Sequence, residues 1–185
     1  MTPSDIDLVL RLRNGDPAAG GMLYERYKRK VFFFIRSMVK EEAAAEDIVQ
    51  QTFMTMIQKI GMLSDPAGFR TWLYAIARNE SLMLLRHRRV VPMEGLESAE
   101  ESVLDPETPA SVAEGTDLHA YVHAAVHRLK PDYRELVLLQ MTEELSYEEI
   151  AVVTGSTVSS VRSKLHKARI VLAADLLPLM KKERP

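Results

Sequence analysis

Two stretches of this chain carry side chains suited to contacting a polyanion. The first runs from Val158 to Arg169, where Ser159, Ser160, Arg162, Ser163, Lys164, His166, Lys167 and Arg169 are interleaved with Val158, Val161, Leu165 and Ala168. The four apolar residues recur at steps of three and four, the spacing of a single buried helical stripe. Small residues at the start of such a helix let it approach the DNA major groove, and the Arg and Lys beyond them can reach phosphates or guanine edges. Upstream, Ser146-Tyr147-Glu148-Glu149 forms a capping box and Thr154-Gly155 a turn, so the whole segment has helix-turn-helix spacing.

The second stretch places Arg70, Tyr74, Arg78, Ser81 and Arg88 on one face of a helix, opposite Phe69, Trp72, Leu73, Ile76 and Met83, and ends in Arg86-His87-Arg88-Arg89. Cations neutralise phosphates while an interleaved aromatic can stack an unpaired base. Trp72 stands on the apolar side, where core packing is its first reading and base stacking its second. A third helix buries Val49, Phe53, Met56 and Ile60 and leaves Asp47, Gln50, Gln51, Met54 and Gln58 outside. That mostly uncharged face with a methionine suits contact with another protein, although a plain solvated face has the same composition.

Helices must position all of these groups, since no strict alternation is sustained and stripes of period 3.6 recur. The pattern predicts a first helix from the Ser4 cap to Asn14-Gly15. A second starts at Asp16-Pro17 and runs through Met38, a third covers about Glu42 to Ile60, and a fourth begins at Asp65-Pro66 and reaches about Arg89. Later helices are expected from Thr116 or Asp117 to Pro131, from Asp132 to Met141, from the Ser146 cap to Thr154, and from Thr157-Val158 to Leu177, where Pro178 should stop the last.

The charge is segregated. Residues 1–91 carry net +4, residues 92–117 carry eight acidic and no basic side chains, and residues 118–185 carry net +2. With three prolines and no aromatic residue, 92–117 reads as an acidic linker between two small helical domains, 1–91 and 118–185. The fold class is therefore all-α. Zero cysteine excludes disulfides, thiolate metal sites and a Cys nucleophile. His119, His123 and His127 recur at four-residue steps, a spacing at which neighbours can share a metal. They sit beside the apolar face towards solvent, so no metal and no cofactor is expected. Nor is there a glycine-rich phosphate loop or a discernible Ser/His/Asp set, which argues against an enzyme. The absence of a long apolar run and of a signal-like N-terminus leads us to expect a cytoplasmic protein without membrane insertion.

The order of residues resembles bacterial extracytoplasmic-function (ECF) sigma factors. Leu23-Tyr24-Glu25-Arg26-Tyr27, Ala45-Glu46-Asp47-Ile48-Val49-Gln50-Gln51-Thr52-Phe53 and Phe69-Arg70-Thr71-Trp72-Leu73-Tyr74-Ala75-Ile76-Ala77-Arg78-Asn79 resemble region 2 of that family. Leu129-Lys130-Pro131-Asp132-Tyr133-Arg134-Glu135, Leu145 to Ala151 and Val161 to Arg169 resemble region 4. The chain departs from the pattern at Met83, where the family often has aspartate, and at Ser156, where an aliphatic residue is usual.

The resemblance implies a non-enzymatic partner of RNA polymerase core, docking through Asp47, Gln50, Gln51, Met54 and Gln58. It implies opening of the minus-ten promoter element by Arg70, Trp72, Tyr74, Arg78, Asn79, Arg86, Arg88 and Arg89. Reading of the minus-thirty-five element would fall to the helix from Val158. An anti-sigma factor is the further partner implied, and the free protein is expected to be a monomer. The linker of 26 residues reaches at most about 90 Å extended and averages roughly 30 Å as a coil. Promoter elements about two helical turns apart are separated by about 70 Å, so the linker must be drawn out to serve both. A dimeric helix-turn-helix regulator is the alternative from another class, but it would need neither the Asp47–Phe53 nor the Arg70–Asn79 stretch.

Overall fold

A computed structural model describes residues 2–90 and 118–182. The acidic linker lies outside these residues, as do the side chains of Arg89, His119 and His123. Eight α-helices make up the described chain: α1 (Asp5–Arg13), α2 (Pro17–Met38), α3 (Glu42–Lys59), α4 (Phe69–Val90), α5 (Leu118–Arg128), α6 (Pro131–Glu143), α7 (Tyr147–Thr154) and α8 (Val158–Lys182). Short 3-10 turns at Ile60–Met62 and Pro66–Gly68 lead into α4, and no strand occurs among the described residues.

The helix starts follow local chemistry. Ser4 and Asp7 form a reciprocal capping box, Asp16 accepts from the Ala18 N–H with Pro17 at the first helical position, and Ser146 and Glu149 form a second box. Gly155 closes α7 at φ 63°, a left-handed conformation that glycine adopts without a Cβ clash. The α5–α6 corner has no such glycine. Arg134 takes its place, donating to the carbonyls of His127 and Leu129 at the end of α5, the latter at 3.0 Å.

Pro178 does not end the last helix. α8 runs on to Lys182, four residues past the proline.

The core is continuous across both halves of the chain. Buried residues from Leu8, Leu23, Ile35 and Met56 through Phe69 and Leu73 to Leu139, Ile150 and Leu165 belong to one cluster. α4 packs on α7, and α2 packs on α6.

Candidate nucleic-acid and polymerase interfaces

α8 presents the face that its sequence periodicity requires. Val161, Leu165 and Ala168 are buried and Val158 packs against the core, while Ser159, Arg162, Ser163, His166, Lys167 and Arg169 are exposed. Ser160 and Lys164 are half-buried. The exposed groups are not equally available. The Lys164 ammonium lies 3.1 Å from Asp132, and Arg169 donates to the Gln140 side chain at 2.9 Å and to the Tyr147 hydroxyl at 3.1 Å. The Arg162 guanidinium sits 5.9 Å from the centre of the Tyr147 ring, which orients it without neutralising it. The Arg169 hydrogen bond is the largest of the influences that hold the Tyr147 phenol below its ordinary pKa. Ser159, Ser163, His166 and Lys167 thus form the most open part of the helix, flanked by arginines set in place by Tyr147.

On α3, Asp47, Gln50, Gln51, Met54 and Gln58 are all exposed over a buried row of Ala45, Ile48, Val49, Thr52, Phe53 and Met56. Ile57, 50% exposed, and Met62, 77% exposed, extend this surface with apolar area that sequence periodicity did not single out. Ile57 was discoverable, since it follows Met54 and Gln50 at steps of three and four on the same side.

α4 departs most from expectation. Tyr74, expected on the strand-facing side, is 1% exposed and packs edge-on against Phe34 with ring centres 5.2 Å apart. Ser81, expected beside it, is fully buried and donates to the Ala77 carbonyl at 2.8 Å. Met83, expected inside, is 62% exposed. The physical reason is that Glu135, Leu138 and Glu143 of α6, together with α7, cover the Arg70–Tyr74–Arg78 face, so the helix buries two sides and is exposed mainly at Asn79, Met83 and its last turns. Arg70 donates to the Glu143 carbonyl at 3.0 Å, and Arg78 forms an ion pair with Glu135 in which both partners are largely buried. Thr71, between these sites, donates to Glu149 at 3.1 Å.

Trp72 is partly buried beside Phe69, whereas Asn79, Arg86 and Arg88 are exposed, Arg88 pairing with Glu41 at 2.7 Å. Of the residues expected to meet DNA here, Arg70, Tyr74 and Arg78 are therefore brought together against the second half of the chain.

Glu143 lies at the centre of this contact, 2% exposed, in a cavity of about 20 Å³ lined by Lys30, Phe33, Phe34, Tyr74 and Leu138. Neither carboxylate oxygen has a hydrogen-bond partner, and Lys30 Nζ is 3.5 Å from Oε1. Burial pushes the Glu143 carboxyl above its ordinary pKa, against the pull of the Tyr74, Lys30 and Arg70 side chains. The Tyr74 phenol is driven up by the same burial and by the facing carboxylate. Glu149 behaves oppositely: burial opposes ionisation, but Ser146, Thr71 and Arg70 together hold its carboxyl below the usual value. No cluster of three or more metal-ligating side chains occurs among the described residues.

An exposed basic helix on a capped helix-turn-helix, joined to a second bundle with a basic, aromatic-bearing helix, defines a class that comparison identifies. Residues 23–90 match the family described as Sigma-70 region 2, and residues 119–172 match Sigma-70 region 4. The chain belongs to the sigma-70 family of RNA polymerase sigma factors, within its ECF group.

It is 31% identical to the RNA polymerase sigma-H factor of Pseudomonas aeruginosa, with 96% of each chain covered. It is equally identical to the ECF RNA polymerase sigma-E factor of Haemophilus influenzae, over 96% of this chain and 97% of that one. Among solved structures, the sigma factor RpoE in complex with the anti-sigma factor NepR from Bartonella quintana is similar, at 26% identity and a TM-score of 0.66. That match covers 89% of this chain and 98% of the other.

Proposed function

We propose that this sigma factor engages RNA polymerase core through the outer face of α3, the minus-ten element through α4, and the minus-thirty-five element through α8. The observation that carries this is the open face of α8, where Ser159, Ser163, His166 and Lys167 project from a helix fixed by a buried stripe. Small side chains at its start permit close groove approach, and Arg162 and Lys167 supply the phosphate or guanine contacts. The α3 surface supports the polymerase assignment because Met54, Ile57 and Met62 offer apolar area within a rim of amides.

On this reading residues 1–91 and 118–185 are the two functional domains and 92–117 the strap between them. The protein does no chemistry of its own: it positions and stabilises unpaired promoter DNA for polymerase, in the cytoplasm. An anti-sigma factor is its regulator, an assignment supported by the NepR complex of the similar RpoE. Among the described residues no helix is long and apolar enough to cross a membrane.

Run-off transcription with purified core polymerase on candidate promoters is the test. Core-dependent initiation from a defined promoter is expected. Absence of core binding would refute the α3 assignment, whereas tight, specific duplex binding without core would favour a free-standing regulator.

A further inference from the structure

We propose that Tyr147 is a positioning residue for minus-thirty-five recognition: its ring directs the Arg162 guanidinium, its hydroxyl is held by Arg169, and α7 thereby governs base discrimination without meeting a base. The inference rests on the assignment of α8 to that element.

The cations of α8 have different surroundings. Lys164 lies 3.1 Å from Asp132 of α6, and Arg169 turns back to the Gln140 side chain of α6 and the Tyr147 hydroxyl of α7. Arg162 is exposed, and its guanidinium carbon stands 5.9 Å from the centre of the Tyr147 ring, a neighbour that orients the group and leaves its charge available. A free arginine loses rotamer freedom when it grips a guanine edge or a phosphate, and that loss weakens binding. A guanidinium already laid against a fixed ring loses less, and its planar fork is presented in one direction.

The ring is fixed by its place in the fold. Tyr147 is the first residue of α7, directly after the Ser146 cap, and it packs against the core. Its hydroxyl accepts from Arg169 at 3.1 Å, and Arg169 is itself anchored on α6 through Gln140 at 2.9 Å. Side chains of α6, α7 and α8 thus form a clasp whose outward end is Arg162. Arg169 braces the reader, and the ring and hydroxyl of Tyr147 have separable roles.

The test uses the full chain bound to core polymerase and a pool of randomised duplexes, whose selected members are sequenced and aligned at the minus-thirty-five element. Arg162→Ala should relax the preference about tenfold at the base pair that arginine reads, the low end of what a base-edge contact supplies. Tyr147→Leu keeps apolar bulk but removes ring and hydroxyl. It should relax the same position about three- to tenfold and leave the salt slope of binding unchanged, since no charge is lost. Tyr147→Phe keeps the ring and should hold the preference within about twofold of the parent. Adding Arg162→Ala to Tyr147→Leu should relax that position no further, the non-additivity of two side chains acting as one.

Urea unfolding and core-polymerase affinity identify a general loss of fold, which lowers affinity for all sequences alike and leaves the preference intact. Additive effects, different positions relaxed by Tyr147→Leu and Arg162→Ala, or a preference lost in Tyr147→Phe, as a direct hydroxyl contact with DNA would give, would overturn the proposal. An unchanged preference in Arg162→Ala would overturn it too. If Lys167→Ala were equally silent, the assignment of α8 to the minus-thirty-five element would fall with it.

Discussion

α4 and α8 are both long helices carrying arginines at helical spacing, yet they meet their surroundings differently. α8 buries one stripe, Val161, Leu165 and Ala168, and keeps its basic face open. α4 buries Phe69 and Leu73 on one side and Tyr74, Ala77 and Ser81 towards the other, leaving its exposed cations Arg86 and Arg88 in the last turns. A helix anchored through a single stripe can offer a standing surface to a ligand. A helix covered on two sides offers no such surface along its covered length, so the two helices differ in whether their basic faces stand open.

That contrast is broken most severely at Tyr74. Tyr74→Ala should destabilise the protein by about 3–5 kcal/mol in urea unfolding, as expected for a buried aromatic and not for an exposed stacking residue. A loss under about 0.5 kcal/mol would mean that the ring is exposed in solution. Ser146→Ala removes the hydroxyl that caps α7 and should cost about 1 kcal/mol, loosening the scaffold on which α8 rests while leaving the α3 surface unaffected.

Lys167→Ala should change stability by less than about 0.5 kcal/mol but lower the salt dependence of binding to a minus-thirty-five duplex by about 0.9 in log–log slope, the signature of one lost phosphate contact. An unchanged slope would show that the open face of α8 is not the one that meets DNA.

The smallest effect is with pH. Because burial in the folded protein raises the Glu143 pKa, the folded state binds the proton more tightly than the unfolded chain does. That contribution to stability should therefore be present at low pH and be lost as pH rises through the raised value. Glu143 is faced by Lys30 and Tyr27 from α2 and by Arg70 and Tyr74 from α4. Glu143→Gln should flatten this part of the dependence of urea-unfolding stability on pH; a slope retained in that variant would place the proton elsewhere.

The helix starts were legible because their chemistry is local. Ser4, Asp16 and Ser146 each cap within three residues of themselves, and the stripes of α3 and α8 pack within their own halves of the chain. Tyr74 and Ser81 were not legible, because Tyr74 is covered by Phe34 of α2 and by Leu138 and Glu143 of α6, and periodicity within α4 carries no trace of tertiary cover. Met83 misled because an apolar side chain was taken as a mark of the buried side, whereas Met83 follows exposed Asn79 and precedes exposed Arg86 at steps of four and three. Pro178 was read as a stop on its intrinsic penalty alone, yet α8 continues four residues past it.

The double use of Glu149 bears on how the halves would part. One oxygen accepts from the Ser146 backbone N–H at 2.8 Å and so belongs to the start of α7, while the other receives the Thr71 hydroxyl from α4. Separation would hand only the second oxygen to water and leave the first in place. The helix-turn-helix therefore keeps its nucleating hydrogen bond throughout, and parting can proceed as the swing of an intact body rather than as partial unfolding. In hydrogen exchange, α7 amides should remain protected in Glu135→Lys, which sets a second cation beside Arg78, even where amides around Thr71 become faster.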